Sequence, residues 1–373
     1  MAESAAAIAY AAWRDWRQPE SVGTTYVCSD TERNHRIVAR LRRSVGHYCP
    51  PALWSYNPHI ASILSAAAAP SVEYTRQTIC AAAAADTDVD DVHIDWWPRV
   101  PRRDDGAATA IVLLFPGLGA GSSDSAPRAF AATVANAGHL CGVVNPTRKW
   151  LPTRTKEAER VLAAAADEWG AAARLMVVGM SGSTTILSHV LPRAPPQQLP
   201  QLGAVLCCFV TDYGTSLDRL ETGSAEGRAY SRLLAARLRA LMAGEAAALD
   251  CAEGCLLSEL NAAVARNLFG SVAALRSAQQ TSPLLARIPV PCLLVQPTDD
   301  PLHTLSDPIQ QRESARAAVA ANANLVLVEP THGAHLGFCS GAQMGKEKEE
   351  EAYHPAQLAL ALLDEMQQKK KRY

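Results

Sequence analysis

A serine between small residues follows a short apolar run in the middle of the chain. The run is Leu175–Val178, and the next five residues, Gly179–Ser183, read Gly-Met-Ser-Gly-Ser. A serine on a sharp turn from strand to helix exposes its hydroxyl, and the strained turn needs small neighbours. The pattern therefore predicts a nucleophile elbow with Ser181 as the nucleophile. Gly179 matches the first glycine of the usual elbow, whereas Ser183 stands in the place of the second.

A serine hydroxyl becomes a good nucleophile only when a neighbouring base removes its proton, and that base is in turn oriented by an acid. Both residue types follow later apolar runs. Asp300 comes after the run Cys292–Val295, and His335 comes after Leu325–Val328. Active sites of open α/β sheets gather at the carboxyl ends of the strands, so these side chains are expected to meet. The order Ser, Asp, His is the one found on this kind of sheet.

Two alternatives to this triad remain open. Asp212 also follows an apolar run and could reach the same histidine, and His332 lies three residues before His335. We favour Asp300 as the acid, and His335 as the base because small residues frame it. Each feature alone is also typical of an ordinary turn or surface loop, but three features in the right order favour catalysis.

Acyl transfer also needs backbone N–H groups that stabilise a negatively charged oxygen. The N–H of Gly182 is one candidate. The glycine-rich segment Pro116–Ser122 follows an early apolar run, and we nominate the N–H of Leu118 as the second. A phosphate-binding loop is the competing interpretation, but the segment lacks the Gly-Lys-Ser/Thr ending and the G-x-G-x-x-G spacing of nucleotide-binding loops.

The elements that must position these residues alternate along the chain. Short runs that are apolar on both faces predict buried parallel strands, and helical stretches lie between them. After the run that ends near Val210 the alternation stops, and the next residues are mostly helical. The expected organisation is therefore an N-terminal extension with the first strands over residues 1–107, a core over 108–212, a helical cap over 213–285, and a second core part with a basic tail over 286–373.

Composition excludes several classes of protein. The chain has 373 residues, is 48% hydrophobic, and carries 35 basic against 37 acidic residues, so no positive excess is available for a nucleic-acid backbone. No apolar segment is long enough to span a membrane, and no secretory signal is expected. The 10 cysteines are expected to be reduced thiols of a cytoplasmic protein. The pair Cys251 and Cys255 has no second pair and no histidine beside it, so we expect no metal site there. The triad chemistry needs neither a metal nor an organic cofactor, and we expect none.

The motifs together resemble the YheT-like branch of the α/β-hydrolase superfamily, which includes embryogenesis-associated proteins, medium-chain ester synthases and phospholipase-like hydrolases. The resemblance extends from about Tyr48 to Phe338. It is carried by segments similar to those of that branch, which are Tyr48–Trp54, Pro58–Ile63, Val92–Trp96, Pro116–Ser122, Val143–Arg148, Asp299–Pro301 and Gly333–Phe338. Four positions depart from the family's glycines, namely Lys149, Ser183, Thr184 and Ala334.

The resemblance implies an α/β-hydrolase fold, a mostly parallel sheet flanked by helices with a helical cap inserted after the sixth strand. It supports Asp300 and His335 as acid and base. It also implies a serine hydrolase of carboxylic esters, such as medium-chain acyl esters, acylglycerols or phospholipids. Two alternatives stay open: acyl transfer to an alcohol by the same triad, and a non-catalytic scaffold that binds a lipid or a protein.

The expected partner is a small acyl ester or lipid, with no nucleic acid and no obligate protein partner. Peripheral contact with a membrane is an open alternative. Its candidate anchors are the N-terminal region around Trp13 and Trp16 and the basic run Lys369–Arg372, although neither has a clear amphipathic pattern, and an ordinary solvated terminus is the simpler interpretation.

Overall fold

The computed structural model describes most of the chain, with gaps. The described residues are 2–14, 23–50, 56–64, 70–80, 91–102, 105, 109–145, 155–169, 173–193, 201–242, 251–268, 270–306, 308–338 and 353–368. Several parts of the sequence-based predictions lie outside them: Trp16, residues 51–54 of the segment Tyr48–Trp54, the Pro-Thr-Arg-Lys stretch 146–149, and the basic run 369–372.

A single sheet of nine strands forms the centre of the molecule. The strands are β1 (Thr24–Cys28), β2 (Thr75–Ile79), β3 (Val92–Trp97), β4 (Ile111–Phe115), β5 (Leu140–Asn145), β6 (Leu175–Met180), β7 (Leu202–Cys207), β8 (Cys292–Val295) and β9 (Leu325–Pro330). Their order across the sheet is β1-β9-β8-β7-β6-β4-β5-β3-β2. The six strands from β9 to β5 in that order are mutually parallel, whereas β3 and β1 pair with them in antiparallel fashion.

The central strands form where the sequence is apolar on both faces. Every residue of β4, β6, β7, β8 and β9 is buried. Helices cover both sides of such a sheet, so neither face meets water. The prediction of a mostly parallel sheet is confirmed. The strand predicted to end near Val210 ends at Cys207 instead, because Cys208 takes a positive φ of 54° and turns the chain out of the sheet.

Fourteen helices connect or cover the strands of the described residues. They are α1 (Ala2–Arg14), α2 (Glu32–Ser44), α3 (Pro58–Leu64), α4 (Ser125–Asn136), α5 (Lys156–Trp169), α6 (Ser183–Val190), α7 (Tyr213–Gly223), α8 (Ala225–Leu241), α9 (Leu257–Leu268), α10 (Val272–Ala278), α11 (Ser282–Leu285), α12 (Pro301–Ser306), α13 (Pro308–Ala321) and α14 (His354–Gln368).

The helices α7 to α11 are inserted between β7 and β8. They have an apolar core of their own, which includes Leu217, Leu238 and Leu260, and Leu118 of the sheet domain packs into it. The insertion follows the seventh strand of the chain instead of the sixth, because the N-terminal region contributes the additional strand β1 at the edge beside β9. A helical layer therefore lies above the loop that carries Leu118.

The N-terminal helix α1 packs against the inserted helices. Its Ile8 is buried together with Ala229 and Tyr230 of α8. The side chain of Trp13 and all of Trp16 lie outside the described residues. No helix in the described part of the chain has the length and apolar character that crossing a membrane requires.

The first residue of α14, His354, makes stability dependent on pH. Its ring is buried against Phe338 and Tyr48, and burial together with the nearby charge of His47 lowers its pKa from 6.5 to about 4. The unfolded chain therefore binds a proton that the folded chain excludes between these pH values.

We expect wild-type protein to lose about 1.4 kcal/mol of unfolding free energy per pH unit from this group as the pH falls from about 6.5 towards about 4. Above that window the group has no effect. The unfolding free energy is measured by denaturant unfolding at several pH values. Its decrease with falling pH should be smaller in His354→Phe than in wild type, whereas His35→Gln, a change at an exposed histidine, should keep the wild-type pH dependence. The same pH dependence of unfolding free energy in wild type and His354→Phe would contradict the prediction.

Candidate active site

Ser181 occupies a tight turn between β6 and α6. Its φ is 51°, a left-handed conformation that is rare outside glycine, and its N–H donates to the carbonyl oxygen of Cys207 at 2.9 Å. The glycine before it is needed, since a Cβ on Gly179 would lie 3.0 Å from Leu187 Cδ1 and 3.2 Å from Thr184 Cα. Strained backbone of this kind is typical of functional sites. The predicted strand, turn and helix around Ser181 are present.

Ser183 replaces the second glycine of the usual elbow and makes a hydrogen bond that a glycine could not make. The residue is fully buried, and its hydroxyl donates a hydrogen bond to the carbonyl oxygen of Pro116. This bond joins the start of α6 to the loop Pro116–Ser122, which we call the oxyanion loop. The serine at this position therefore connects α6 to the oxyanion loop beside the nucleophile.

The structure brings Ser181, His335 and Asp300 together in one hydrogen-bonded chain. His335 Nε2 lies 2.8 Å from Ser181 Oγ, and His335 Nδ1 lies 2.9 Å and 3.1 Å from the two carboxylate oxygens of Asp300. With the proton on Nδ1 donated to Asp300, the lone pair of Nε2 faces the serine hydroxyl. This is the arrangement in which histidine can take the serine proton.

Asp300 is held as a buried carboxylate. It is 1% exposed, it accepts from Gln296 Nε2 at 3.1 Å, and it accepts from the backbone N–H of Leu302 at 3.0 Å. Burial alone would raise its pKa, but the positive charge and hydrogen bond of His335, the nearby His303 and the Gln296 bond together hold that pKa below its ordinary value. Asp300 can therefore stay ionised and stabilise a positively charged imidazole.

The alternative acid and base are placed elsewhere. Asp212 caps α7, because its carboxylate accepts from the N–H and the hydroxyl of Thr215 at 3.0 Å and 2.9 Å. His332 is buried, with its Nδ1 at 3.4 Å from Asp299. The geometry thus favours Asp300 over Asp212 and His335 over His332.

The loop that carries His335 is held in an unusual conformation. Ala334 and Leu336 have φ values of 49° and 60°, and a Cβ on Gly333 would collide with the ring of Phe338. Hydrogen bonds support this shape from two sides. The N–H of Ala334 donates to Asp299 Oδ1 at 2.8 Å, and the N–H of His335 donates to Ser62 Oγ at 3.2 Å. The sequence analysis assigned neither residue this supporting contact, although Ser62 and Asp299 both lie in segments that carry the family resemblance.

Two backbone N–H groups are available beside the nucleophile. A Cβ on Gly182 would lie 3.5 Å from the Leu118 nitrogen, and one on Gly117 would lie 3.2 Å from Ser181 Cβ, so the oxyanion loop packs directly on the elbow. Among the backbone hydrogen bonds between described residues, neither the N–H of Leu118 nor that of Gly182 has an acceptor. Both predicted donors are thus free to bind a negatively charged oxygen.

An apolar pocket opens onto the triad from the inserted helices. It encloses about 720 Å³ of empty space, its open mouth included, and Ser181 and His335 lie in its wall. The rest of the wall is mainly apolar, and five leucines from the inserted helices and α12 contribute to it: Leu217, Leu220, Leu234, Leu257 and Leu302. Such a pocket fits a hydrocarbon chain whose ester group reaches Ser181.

Cys208 is a further neighbour of the triad. Its sulfur, a carboxylate oxygen of Asp300 and a ring nitrogen of His335 lie within 4.8 Å of one another. In the described part of the chain no other group of three such side chains could hold a metal ion. Burial raises the pKa of the Cys208 thiol, so it stays protonated and does not compete with His335 for the serine proton.

Comparisons with known proteins gave structural likenesses only. No protein-family model matches the chain, and no curated protein matches it significantly. The chain is similar to a structure of fungal esterases from Rhizomucor miehei, with 15% identity, a TM-score of 0.48 and coverage of 92% of each chain. It is similar to a bacterial heroin esterase, with 14% identity, a TM-score of 0.45 and coverage of 79% of this chain and 84% of that one. It is also similar to a bacterial membrane phospholipase A described as a virulence factor, with 18% identity, a TM-score of 0.42 and coverage of 89% and 96%.

The fold follows from the sheet and from where the site lies on it. Ser181 follows β6 in the middle of the sheet, Asp300 follows β8, and His335 follows β9, all at the carboxyl ends of parallel strands. The loop after β4 lies beside the serine, as a second oxyanion donor requires. With the helices on both faces and the helical insertion between β7 and β8, this chain has the α/β-hydrolase fold.

Proposed function

We propose that this protein is a serine hydrolase that cleaves carboxylic esters with an apolar acyl chain. One observation carries the proposal, the continuous chain of contacts from Ser181 Oγ to His335 Nε2 at 2.8 Å and from His335 Nδ1 to Asp300 at 2.9 Å. The strained φ of Ser181 and the two free N–H groups beside it support the same chemistry.

The reaction proceeds through an acyl-enzyme. Ser181 Oγ attacks the ester carbonyl carbon while His335 Nε2 takes the hydroxyl proton, and Asp300 stabilises the resulting imidazolium. The carbonyl oxygen gains the negative charge and is bound by the N–H groups of Leu118 and Gly182. As the tetrahedral intermediate collapses, His335 gives its proton to the departing alcohol. A water molecule activated by His335 then releases the acid and restores the serine.

The pocket indicates the class of acyl group. Its wall is rich in leucine, and the carboxylate in it, Asp300, is already paired with His335, so the pocket suits an apolar chain. Burying each CH₂ of a substrate contributes about 0.8 kcal/mol. The resemblance of the sequence motifs to the YheT-like branch favours medium-chain esters, acylglycerols or phospholipids as substrates. We include in the proposal that this chain is a YheT-like hydrolase.

A series of nitrophenyl esters from two to sixteen carbons tests this function. We expect turnover with a maximum of kcat/KM at intermediate chain length, because a longer chain buries more apolar surface until the pocket is filled. Adding ethanol and measuring ethyl ester separates the two fates of the acyl-enzyme. Free acid as the main product supports hydrolysis, whereas ethyl ester as the main product would reassign the protein as an alcohol acyltransferase. No turnover of any ester would contradict the proposal.

Filling the pocket is expected to change the chain-length preference. Leu234 lines the pocket, whereas its neighbour Leu233 on the same helix is 39% exposed. Leu234→Trp should lower kcat/KM for the longest good substrate by about tenfold, because displacing about two CH₂ groups at about 0.8 kcal/mol each corresponds to roughly that factor. The two-carbon ester should stay within about threefold. Leu233→Trp is the matched control and should keep the wild-type profile. A uniform loss across all chain lengths in Leu234→Trp would contradict the assignment of this pocket to the acyl chain.

A further inference from the structure

A buried carboxylate lies behind the oxyanion loop, outside the pocket. Asp95 belongs to β3, is 4% exposed and is absent from the pocket wall. The reaction described above uses none of its atoms. A buried charge is costly unless hydrogen bonds satisfy it, so its partners indicate what it holds.

Two partners of Asp95 are Ser122, at the end of the oxyanion loop, and Asn145, the last residue of β5. Ser122 Oγ donates to Asp95 Oδ2 at 2.6 Å, and Asn145 Nδ2 donates to the same oxygen at 2.9 Å. Asn145 Oδ1 in turn accepts from the backbone N–H of Ser122 at 2.9 Å. Both the side chain and the backbone of Ser122 are therefore tied to β3 and β5.

A third partner of Asp95 is Arg76, on the edge strand β2. Its Nε donates to Asp95 Oδ1 at 2.7 Å, and its Nη2 donates to Oδ2 at 2.8 Å. Burial alone would raise the pKa of Asp95, but the bonds from Arg76, Ser122 and Asn145 outweigh it and hold that pKa below its ordinary value. Asp95 is thus an ionised acceptor, and hydrogen bonds to a charged group are about twice as strong as neutral ones.

The oxyanion loop is short enough for this anchor to reach the site. Leu118 lies four residues before Ser122, and the other end of the loop is held where Ser183 Oγ donates to the Pro116 carbonyl oxygen. The loop also lies close against its anchor, because a Cβ on Gly121 would be 2.9 Å from Asn145 Oδ1. With both ends fixed, the direction of the Leu118 N–H depends on where Ser122 is held.

We propose that Asp95 is a positioning residue for the oxyanion hole, which acts through Ser122 and Asn145 on the Leu118 N–H. This inference rests on the proposed function. It predicts a defect that is confined to the transition state, because the triad and the acyl pocket do not touch Asp95. A displacement of about 1 Å at a reacting group can cost about 10²-fold in rate.

Two loop variants and one control test the inference. Asp95→Asn keeps the shape of the side chain but removes its charge, and Ser122→Ala removes a single hydroxyl. Ser122→Thr retains that hydroxyl. Asp105→Asn is the control. Asp105 also accepts two hydrogen bonds from one arginine, in this case from both terminal nitrogens of Arg99 at 2.6 Å and 2.8 Å, and its bonds do not reach the oxyanion loop. For each, kcat and KM for one nitrophenyl ester are measured, together with inhibition by a trifluoromethyl ketone of the same chain length, which forms a tetrahedral adduct with serine.

We expect Asp95→Asn and Ser122→Ala to lower kcat by roughly 10²-fold with KM within about twofold. Ketone affinity should fall by a similar factor and the pH midpoint of kcat should stay unchanged, because the triad is intact. Ser122→Thr should recover most of the rate, and Asp105→Asn should match wild type.

Folded Asp95→Asn and Ser122→Ala proteins with wild-type kcat would overturn the inference. So would a loss of thermal stability with unchanged ketone affinity, which indicates a structural role. Wild-type protein that neither hydrolyses esters nor reacts with a fluorophosphonate would instead contradict the proposed function, and the inference with it.

Discussion

Ser181→Ala is expected to abolish ester hydrolysis, with kcat lower by roughly 10⁶-fold. The alanine has no nucleophilic oxygen, so no acyl-enzyme can form, and only direct attack by water remains, assisted by the oxyanion N–H groups and by substrate binding. The fold should tolerate the change. Among the described residues the Ser181 hydroxyl is hydrogen-bonded only to His335, and the turn is held by the backbone N–H of Ser181. Steady-state turnover of a nitrophenyl ester, with circular dichroism as a check of folding, measures the effect.

The matched control is another serine of the same strand-turn-helix unit. Ser188 is buried on α6, and its hydroxyl donates to the Thr184 carbonyl oxygen within the helix. Ser188→Ala should keep kcat within about threefold of wild type, because it loses one net hydrogen bond of about 1 kcal/mol and no contact with the site. If Ser181→Ala retained more than a few per cent of the activity, another group would be the nucleophile.

Asp300→Asn is expected to reduce kcat by roughly 10⁴-fold at neutral pH. An asparagine cannot stabilise the imidazolium, and its amide can force the histidine into the tautomer that carries the proton on Nε2. That proton would then face Ser181 Oγ, which lies 2.8 Å away. The loss should appear in kcat, with KM changed little, since Asp300 acts on the triad.

Asp212→Asn separates the two candidate acids. Asp212 caps α7 through Thr215, and asparagine caps helices about as well as aspartate, so we expect activity within about twofold of wild type. The pH dependence of kcat in both variants provides a second readout. Normal turnover in Asp300→Asn combined with a large loss in Asp212→Asn would reverse the assignment of the acid.

Much of the central sheet could be predicted from the sequence, because buried parallel strands are short apolar runs with a strong local pattern. The run Cys292–Val295 coincides with β8, and the run Leu175–Val178 lies within β6. The first strands were expected within residues 1–107, but the position of β1 and its pairing with β9 were not predicted, since its residues are only partly buried and β9 lies about three hundred residues away. Such a pairing leaves no local trace in the sequence.

The order of the three triad residues along the chain could be predicted, but the choice of acid and the supporting hydrogen bonds could not. Ser181, Asp300 and His335 could be proposed because each follows a strand of the same sheet. The choice between Asp300 and Asp212 could not be made from order alone, since both leave the same edge and only the packed structure turns Asp212 towards Thr215. The link from Asp95 to Ser122 was equally hidden, because hydrogen bonds between distant segments have no spacing rule.

The central claim is that Ser181 is an activated nucleophile, and labelling of the wild-type protein by a fluorophosphonate tests it most directly. Intact-mass analysis followed by peptide mapping identifies the modified residue, and heat-denatured protein is the control for nonspecific reaction. The account predicts one adduct per chain on Ser181, absent from Ser181→Ala and formed much more slowly by Asp300→Asn. Folded wild-type protein that takes no label, or label on a different residue with Ser181 unmodified, would contradict the account.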